Sequence, residues 1–364
     1  MRIAVVTPLP DSRDAGLYIA ASRLLRGISI FVPSQPEAQL WPQDVRPVPL
    51  PAINKGLTRQ WLRGLRSAIA DFGPELIHVH NEPWAVTSQR LLRGNRPVVI
   101  HGAESILAEA PLRYRLRRIG TRTALQRAAG YVNWGVTGLR AAEGAGLPAS
   151  TPRAVISASP PDPAVFTRAP APEPGRRLHL TFVGRLVPEK GVQTILQAMA
   201  APHRREAVSL TVVGGGPVAQ ELQDSAKALG VDARFAGPMD AAGTHSQIAA
   251  GDVLVVPSID IPRWSEQWGR VVAEAMMTGR SVLASDAGEL PYLVGQPDWI
   301  FRQDDPESLG RAVDVLLADP KLASTRAEVA FQRAQLFQPE VLAVQLIDFW
   351  GEVLANWRDR ISRR

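Results

Sequence analysis

The chain has no cysteine. Disulfides and thiolate metal sites are therefore excluded, and a cytoplasmic enzyme is the simplest expectation. No apolar run approaches the roughly 18 residues of a membrane-crossing helix. The opening Met1-Arg2-Ile3-Ala4-Val5-Val6-Thr7 is soon interrupted by Pro8 and Pro10, too short a run for a signal peptide. There is no repeat of about 20 to 50 residues and no long low-complexity tract. Acidic residues are in deficit: 35 against 41 lysines and arginines, a net charge of +6. That balance favours anionic partners such as nucleotide diphosphates, acidic headgroups or nucleic acid. No nucleic-acid recognition motif accompanies the charge. The 364 residues, 45% hydrophobic and 21% charged, suffice for two globular domains.

What is present is alternation. Short apolar runs at Ile3 to Thr7, Ile28 to Val32, Leu76 to His80, Val98 to His101 and Gly130 to Val132 read as strands. Helical spacing separates them at Leu17 to Leu25, Trp61 to Ala70 and Leu112 to Ala128. Ser157 to Gly175 is rich in proline and reads as a linker. The alternation then restarts, with strands at Leu178 to Val183, Val208 to Val213, Val253 to Pro257 and Ser281 to Ser285. The pattern predicts an α/β protein of two doubly wound, Rossmann-like parallel-sheet domains, residues 1–168 and 169–339, facing across a cleft. The apolar helix at about 340–364 is expected to pack back on the first domain.

The most informative stretch runs from Ser265 to Met276 and carries Glu266 and Glu274 eight positions apart. At 100° per residue, Val271, Val272, Ala275 and Met276 share an arc of about 140°, the core face of a helix. Glu274 falls at its edge, and Glu266 precedes the helix. Free N–H groups at the helix start would attract an anion. A second cluster follows the strand Leu180 to Val183, where Gly184 permits a close turn and Arg185 and Lys190 can converge on phosphate oxygens. Each alone also fits a plain structure: an amphipathic helix with rim acids, and a solvated loop.

Together, Phe182-Val183-Gly184-Arg185-Leu186-Val187-Pro188-Glu189-Lys190-Gly191, Val212-Val213-Gly214-Gly215-Gly216-Pro217 and Glu266 to Met276 resemble the nucleotide-sugar half of the retaining GT-B glycosyltransferases. The glutamates match that family's Glu-x7-Glu motif. The resemblance runs from about Leu178 to Val294 and more weakly over the N-terminal half. It implies a retaining, metal-independent hexosyltransferase. The donor would be a nucleotide diphosphate sugar, UDP-linked ahead of GDP-linked. The acceptor would be a hydroxyl of a glycan, lipid-linked glycan or small metabolite, in polysaccharide biosynthesis. No cofactor is implied. The catalytic set would be His101, Arg185, Lys190 and Glu266. Donor contacts would come from Gly16, Gly184, Phe235 and Gly237, from the backbone at Gln267, Trp268 and Gly269, and from Glu274 on the ribose. No Asp-x-Asp pair occurs, in keeping with Arg185 and Lys190 neutralising the diphosphate. Departures at Ala15-Gly16, Ser157-Ala158-Ser159-Pro160 and Val132-Asn133-Trp134-Gly135 fall toward the acceptor half.

Other readings remain open at this level. Gly214-Gly215-Gly216-Pro217-Val218-Ala219 satisfies a loose dinucleotide fingerprint, which would suit a nicotinamide or flavin enzyme. A sugar-nucleotide 2-epimerase would share the architecture. His78 and His80 point the same way on a strand, like a metal pair without a third ligand. Trp264 and Trp268 could stack on sugar or fill space. Arg113 to Arg127 holds six arginines and no acid around a stripe of Leu112, Leu116 and Ile119. That helix could be a packed helix with a basic face, or a contact with anionic membrane.

Overall fold

The computed structural model describes the chain apart from residues 9–14, 35–40, 55, 105–114, 173–176, 320 and 364. It divides into two units, 1–160 with 339–364, and 161–338. The first contains β1 (Ile3–Val6), α1 (Gly16–Leu24), β2 (Ile28–Pro33), β3 (Val48–Leu50), α2 (Leu65–Phe72), β4 (Leu76–His80), α3 (Val86–Leu91), β5 (Val98–Gly102), α4 (Arg115–Arg127), β6 (Gly130–Asn133), α5 (Val136–Gly144) and β7 (Arg153–Val155). Its seven strands run in the order β3-β2-β1-β4-β5-β6-β7 and pair in parallel throughout. The central strands are buried on both faces because helices cover both.

The second unit contains β8 (Leu178–Val183), α6 (Val192–Met199), α7 (Pro202–Ala207), β9 (Val208–Val213), α8 (Ala219–Leu229), β10 (Ala233–Gly237), α9 (Ala241–Ala250), β11 (Val253–Val256), α10 (Arg270–Met277), β12 (Ser281–Ser285), α11 (Leu290–Val294), β13 (Ile300–Phe301), α12 (Pro306–Ala318) and α13 (Leu322–Ala334). The sheet order is β10-β9-β8-β11-β12-β13, again parallel. In each sheet the winding reverses once, between β1 and β4 and between β8 and β11. Crevices for ligands open beyond the carboxyl ends of the strands at such points.

The chain then returns as α14 (Pro339–Ser362), which packs along α1 in the core of the first unit. Leu342, Leu346, Trp350 and Val353 form its buried stripe. The helix lies so close to β6 that a Cβ at Gly130 would sit 2.6 Å from a Val353 methyl. Only a glycine lets it seat there.

The division falls at Pro160, eight residues before the expected 168. The reason is hydrogen bonding inside the second unit. The Ala169 N–H donates to Thr278, Arg280 donates to the Pro170 carbonyl, and His245 donates to Thr167. The helix expected from Trp61 begins only at Leu65, after the left-handed Gly64; Leu62 instead forms a β-bridge with Ala52. On α4 the buried residues are Thr121, Ala124 and Leu125, followed by Ala128 just past its end, and Ile119 is exposed. Ile119 is therefore not on the packed face: β5, β6 and α5 receive the opposite side of the helix. Leu112, Arg113 and the side chain of Leu116 lie outside the described residues.

Candidate active site

Two loops leave the strands that flank the reversal in the second sheet. The loop after β8 carries Gly184, Arg185 and, on a 3-10 turn, Lys190. The loop after β11 runs from Pro257 to Gly269 and feeds α10. They are tied by backbone, Ile259 N–H to the Glu189 carbonyl at 2.8 Å. The side chains then meet: Lys190 Nζ donates to Glu266 Oε2 at 2.5 Å, and Ser258 Oγ donates to the same oxygen at 2.8 Å. Lys190 Nζ also lies 4.8 Å from the centre of the Trp264 ring, a cation–π contact. Glu266 is buried, so this carboxylate is held by charge and hydrogen bond in a place water reaches poorly. Arg185 is exposed and has no partner among the described residues.

Sequence reasoning did not find Ser258 or the device that positions Trp264. Residues 261–264 form a tight hairpin, with Ile261 and Trp264 exchanging both backbone hydrogen bonds. Asp260 braces it, accepting from Ser265 Oγ at 2.6 Å and from the Gly288 N–H at 3.2 Å. Such a loop has no hydrophobic period to reveal it; the Pro262-Arg263 turn was the available signal.

Helix α10 starts after Gly269, which is left-handed at φ 68°. Val272, Ala275 and Met276 are buried as expected, while Val271 is only half-buried. Because α13 packs on α10 as well as the sheet, Ala273 and Met277 are buried in its place. Nothing among the described residues accepts from the N–H groups of Gln267, Trp268 and Gly269. The Trp268 ring is used internally, edge-on to Phe337 at 5.3 Å. Glu274 is turned inward, and burial pushes its carboxyl up to about 7 against the opposing pull of Arg270.

The glycine loop after β9 packs onto the β8 loop. A Cβ at Gly214 would lie 1.8 Å from the Gly184 carbonyl oxygen, and one at Gly216 would lie 2.2 Å from that of Leu186. This close approach accounts for the glycines of the loose dinucleotide fingerprint without a dinucleotide. The neighbouring Phe235 packs on the core of this unit, leaving backbone at Gly237 beside it.

The first unit holds the remaining predicted residues. Gly16 opens α1, where a Cβ would touch Pro160 at 3.4 Å. His101 is fully buried in a polar cluster rather than at an open edge. Its Nε2 lies 2.8 Å from the Ile156 carbonyl, its Nδ1 2.9 Å from the Tyr18 hydroxyl and 3.1 Å from His78 Nε2. Trp350 Nε1 donates to His78 Nδ1 at 3.0 Å. A carbonyl only accepts and an indole N–H only donates, so both histidines carry their proton on Nε2. Burial holds His78, His80 and His101 below the usual histidine value, His80 at about 3. His78 and His80 therefore belong to a neutral hydrogen-bonded core. Among the described residues no cluster of three or more potential ligands could hold a metal.

Residues 177–319 match the family model described as glycosyl transferases group 1. Over this stretch the chain is similar to the group 1 glycosyltransferases. The matched stretch lies within the unit that carries Lys190, Glu266 and Glu274. Two D-inositol 3-phosphate glycosyltransferases are similar in sequence. That of Corynebacterium glutamicum is 30% identical over 188 residues, 49% of this chain and 44% of the relative. That of Streptomyces griseus is 31% identical over 193 residues, 49% of this chain and 40% of the relative. The chain thus spans less than half the length of these curated relatives. The fold is GT-B, as in two solved structures. HepE of Anabaena in complex with UDP and glucose has a TM-score of 0.72 at 20% identity, over 97% of this chain and 100% of that one. A glycosyltransferase from Rickettsia africae has a TM-score of 0.76 at 14% identity, over 97% and 98%.

Proposed function

We propose that this protein is a glycosyltransferase, a retaining, metal-independent hexosyltransferase using a nucleotide diphosphate sugar, with a UDP-sugar as donor. The observation that carries the reading is the meeting of Lys190 with Glu266 beyond the strand ends at the sheet reversal. A cation and a hydroxyl-binding carboxylate side by side suit the two ends of a sugar diphosphate. A diphosphate arriving beside Lys190 and the exposed Arg185 would draw the ammonium away from Glu266. The freed carboxylate then accepts from sugar hydroxyls, and the N–H groups of Gln267 to Gly269 donate to sugar and phosphate. Glu274 accepts from the ribose, and backbone near Phe235 and Gly237 meets the base.

In the reaction the anomeric carbon–oxygen bond breaks and its electron pair leaves on the diphosphate. An acceptor hydroxyl forms the new bond on the same face and gives its proton to the departing phosphate oxygen. Positioning and charge stabilisation are the protein's contribution. A role for His101 at the transferred sugar requires its ring to leave the Ile156 carbonyl. The complex of HepE with UDP and glucose supports a UDP-sugar as donor. The acceptor is a hydroxyl compound, in polysaccharide assembly or a related pathway. The arginine-rich 113–127 segment, with exposed Ile119, is proposed to rest on anionic membrane at the cytoplasmic side. No described helix is long and apolar enough to cross a membrane.

Thermal shift against UDP, GDP, ADP and NAD tests the donor. Stabilisation by UDP is expected; stabilisation by NAD alone would reverse the reading. Product analysis with UDP-sugars then separates transfer from 2-epimerisation, and transfer with retained anomeric configuration is expected.

A further inference from the structure

Arg270 occupies the first position of α10, one helical turn before Glu274. Its Nε lies 3.4 Å from Glu274 Oε1, with the arginine side chain 46% exposed and the glutamate side chain 13% exposed. For the helix itself this is a poor arrangement. A cation at an N-terminus opposes the helix dipole. A basic residue preceding an acid at i,i+4 is also the weaker order of the two. The pairing therefore needs a reason other than helix stability.

The surroundings supply it. Of the elements packed on α10, β11 and β12 bring no ionisable side chain. Helix α9 brings His245, held on the Thr167 carbonyl, and α11 brings the hydroxyl of Tyr292. Helix α13 brings Arg326, Glu328 and Arg333, bonded respectively to the Asp298 carbonyl, Arg168 and the Leu293 carbonyl. Arg270 is the charge that acts on Glu274. A carboxylate accepts from two adjacent hydroxyls only when ionised; once protonated it has lost part of that capacity.

We propose that Arg270 is a positioning residue for nucleotide binding, keeping the Glu274 carboxylate charged and oriented for the paired hydroxyls of a ribose. The proposal rests on the donor reading above. Because burial raises the Glu274 carboxyl to about 7, the ionised fraction, and with it nucleotide affinity, rises with pH through that value. Loss of Arg270 moves the rise to higher pH.

The test is calorimetric titration of the full chain with UDP and with 2′,3′-dideoxy-UDP, from about pH 6 to about pH 8.5, with GDP and its dideoxy form in parallel. Wild type is compared with Arg270→Met and Arg270→Lys. Arg270→Met is expected to weaken UDP about tenfold at neutral pH, the value of one charged hydrogen bond, and to recover toward the alkaline end. It should leave dideoxy-UDP within about twofold, and Arg270→Lys should restore most of the loss. Equal weakening of both ligands would place Arg270 on the phosphates and overturn the proposal. So would an Arg270→Met affinity and pH profile matching wild type. Wild type that binds none of the four ligands overturns the donor reading, and this inference falls with it.

Discussion

Lys190 and Glu266 each lack an obvious structural reason to be where they are, since either could be solvated at lower cost. They are held at 2.5 Å in a poorly hydrated loop junction, and the proposed donor would open the pair. Replacing Lys190 or Arg185 with alanine is expected to lower turnover by about 10²- to 10³-fold, as loss of charge stabilisation does elsewhere. Steady-state rates on protein whose circular dichroism matches wild type check this, and a near-normal rate in either variant contradicts the leaving-group role. Glu274 makes a prediction of opposite kind. Its folded carboxyl titrates near 7 and its unfolded one near 4.5, so the unfolded state binds fewer protons between these values. Stability from this group is intact below about pH 4.5 and is lost as pH rises through about 7. Glu274→Gln should therefore stabilise the unliganded protein by about 3 kcal/mol at pH 8 and by little at acid pH, read from denaturant unfolding.

At the scale of elements, legibility followed burial. Strands β8, β9 and β12 have the bounds their apolar runs predict, because a strand covered on both faces is predominantly apolar. Strand β10 carries exposed Arg234 at the sheet edge, and β13 has two residues, so neither shows a run or a period. The motif residues of the second unit could be placed because glycines and charges sit at fixed offsets from those strands. The hairpin that aims Trp264, and the contact of Lys190 with its ring, come from loop geometry that leaves no pattern in composition. The glycine loop after β9 offers a sharp test. Gly214 has φ 133° and its Cβ site is occupied by the Gly184 carbonyl. Gly214→Ala should cost at least about 3 kcal/mol and separate the two loops, lowering both the unfolding midpoint and nucleotide-induced stabilisation. An alanine variant of wild-type stability would mean that the loops do not pack in this way.

At the scale of the molecule, the first unit depends on a neutral histidine cluster and the second does not. His78, His80 and His101 are each held below the ordinary histidine value of 6.5, so the unfolded chain binds more protons below that pH. Their contribution is present above about 6.5 and is lost as pH falls, at about 4 kcal/mol per pH unit for three groups. Unfolding of the first unit should steepen accordingly below pH 6.5, and His80→Gln should remove about a third of that slope. Denaturant titrations at stepped pH measure it, and an unchanged slope would show that the cluster opens before it titrates. Sequence alone showed that His78 and His80 share one side of a strand. It did not show that Trp350 closes them off, because that contact joins residues 272 positions apart.

That separation also orders events on the ribosome. Residues 161–338 form a compact unit whose contacts are complete once they have emerged. The sheet made earlier must wait, with His78 lacking its indole donor, until the segment bearing Trp350 has been translated. At about 5 to 20 residues per second the delay is roughly 15 to 55 s. During that interval the groove that α14 will fill is open to chaperones, so the half encoded first is the half completed last.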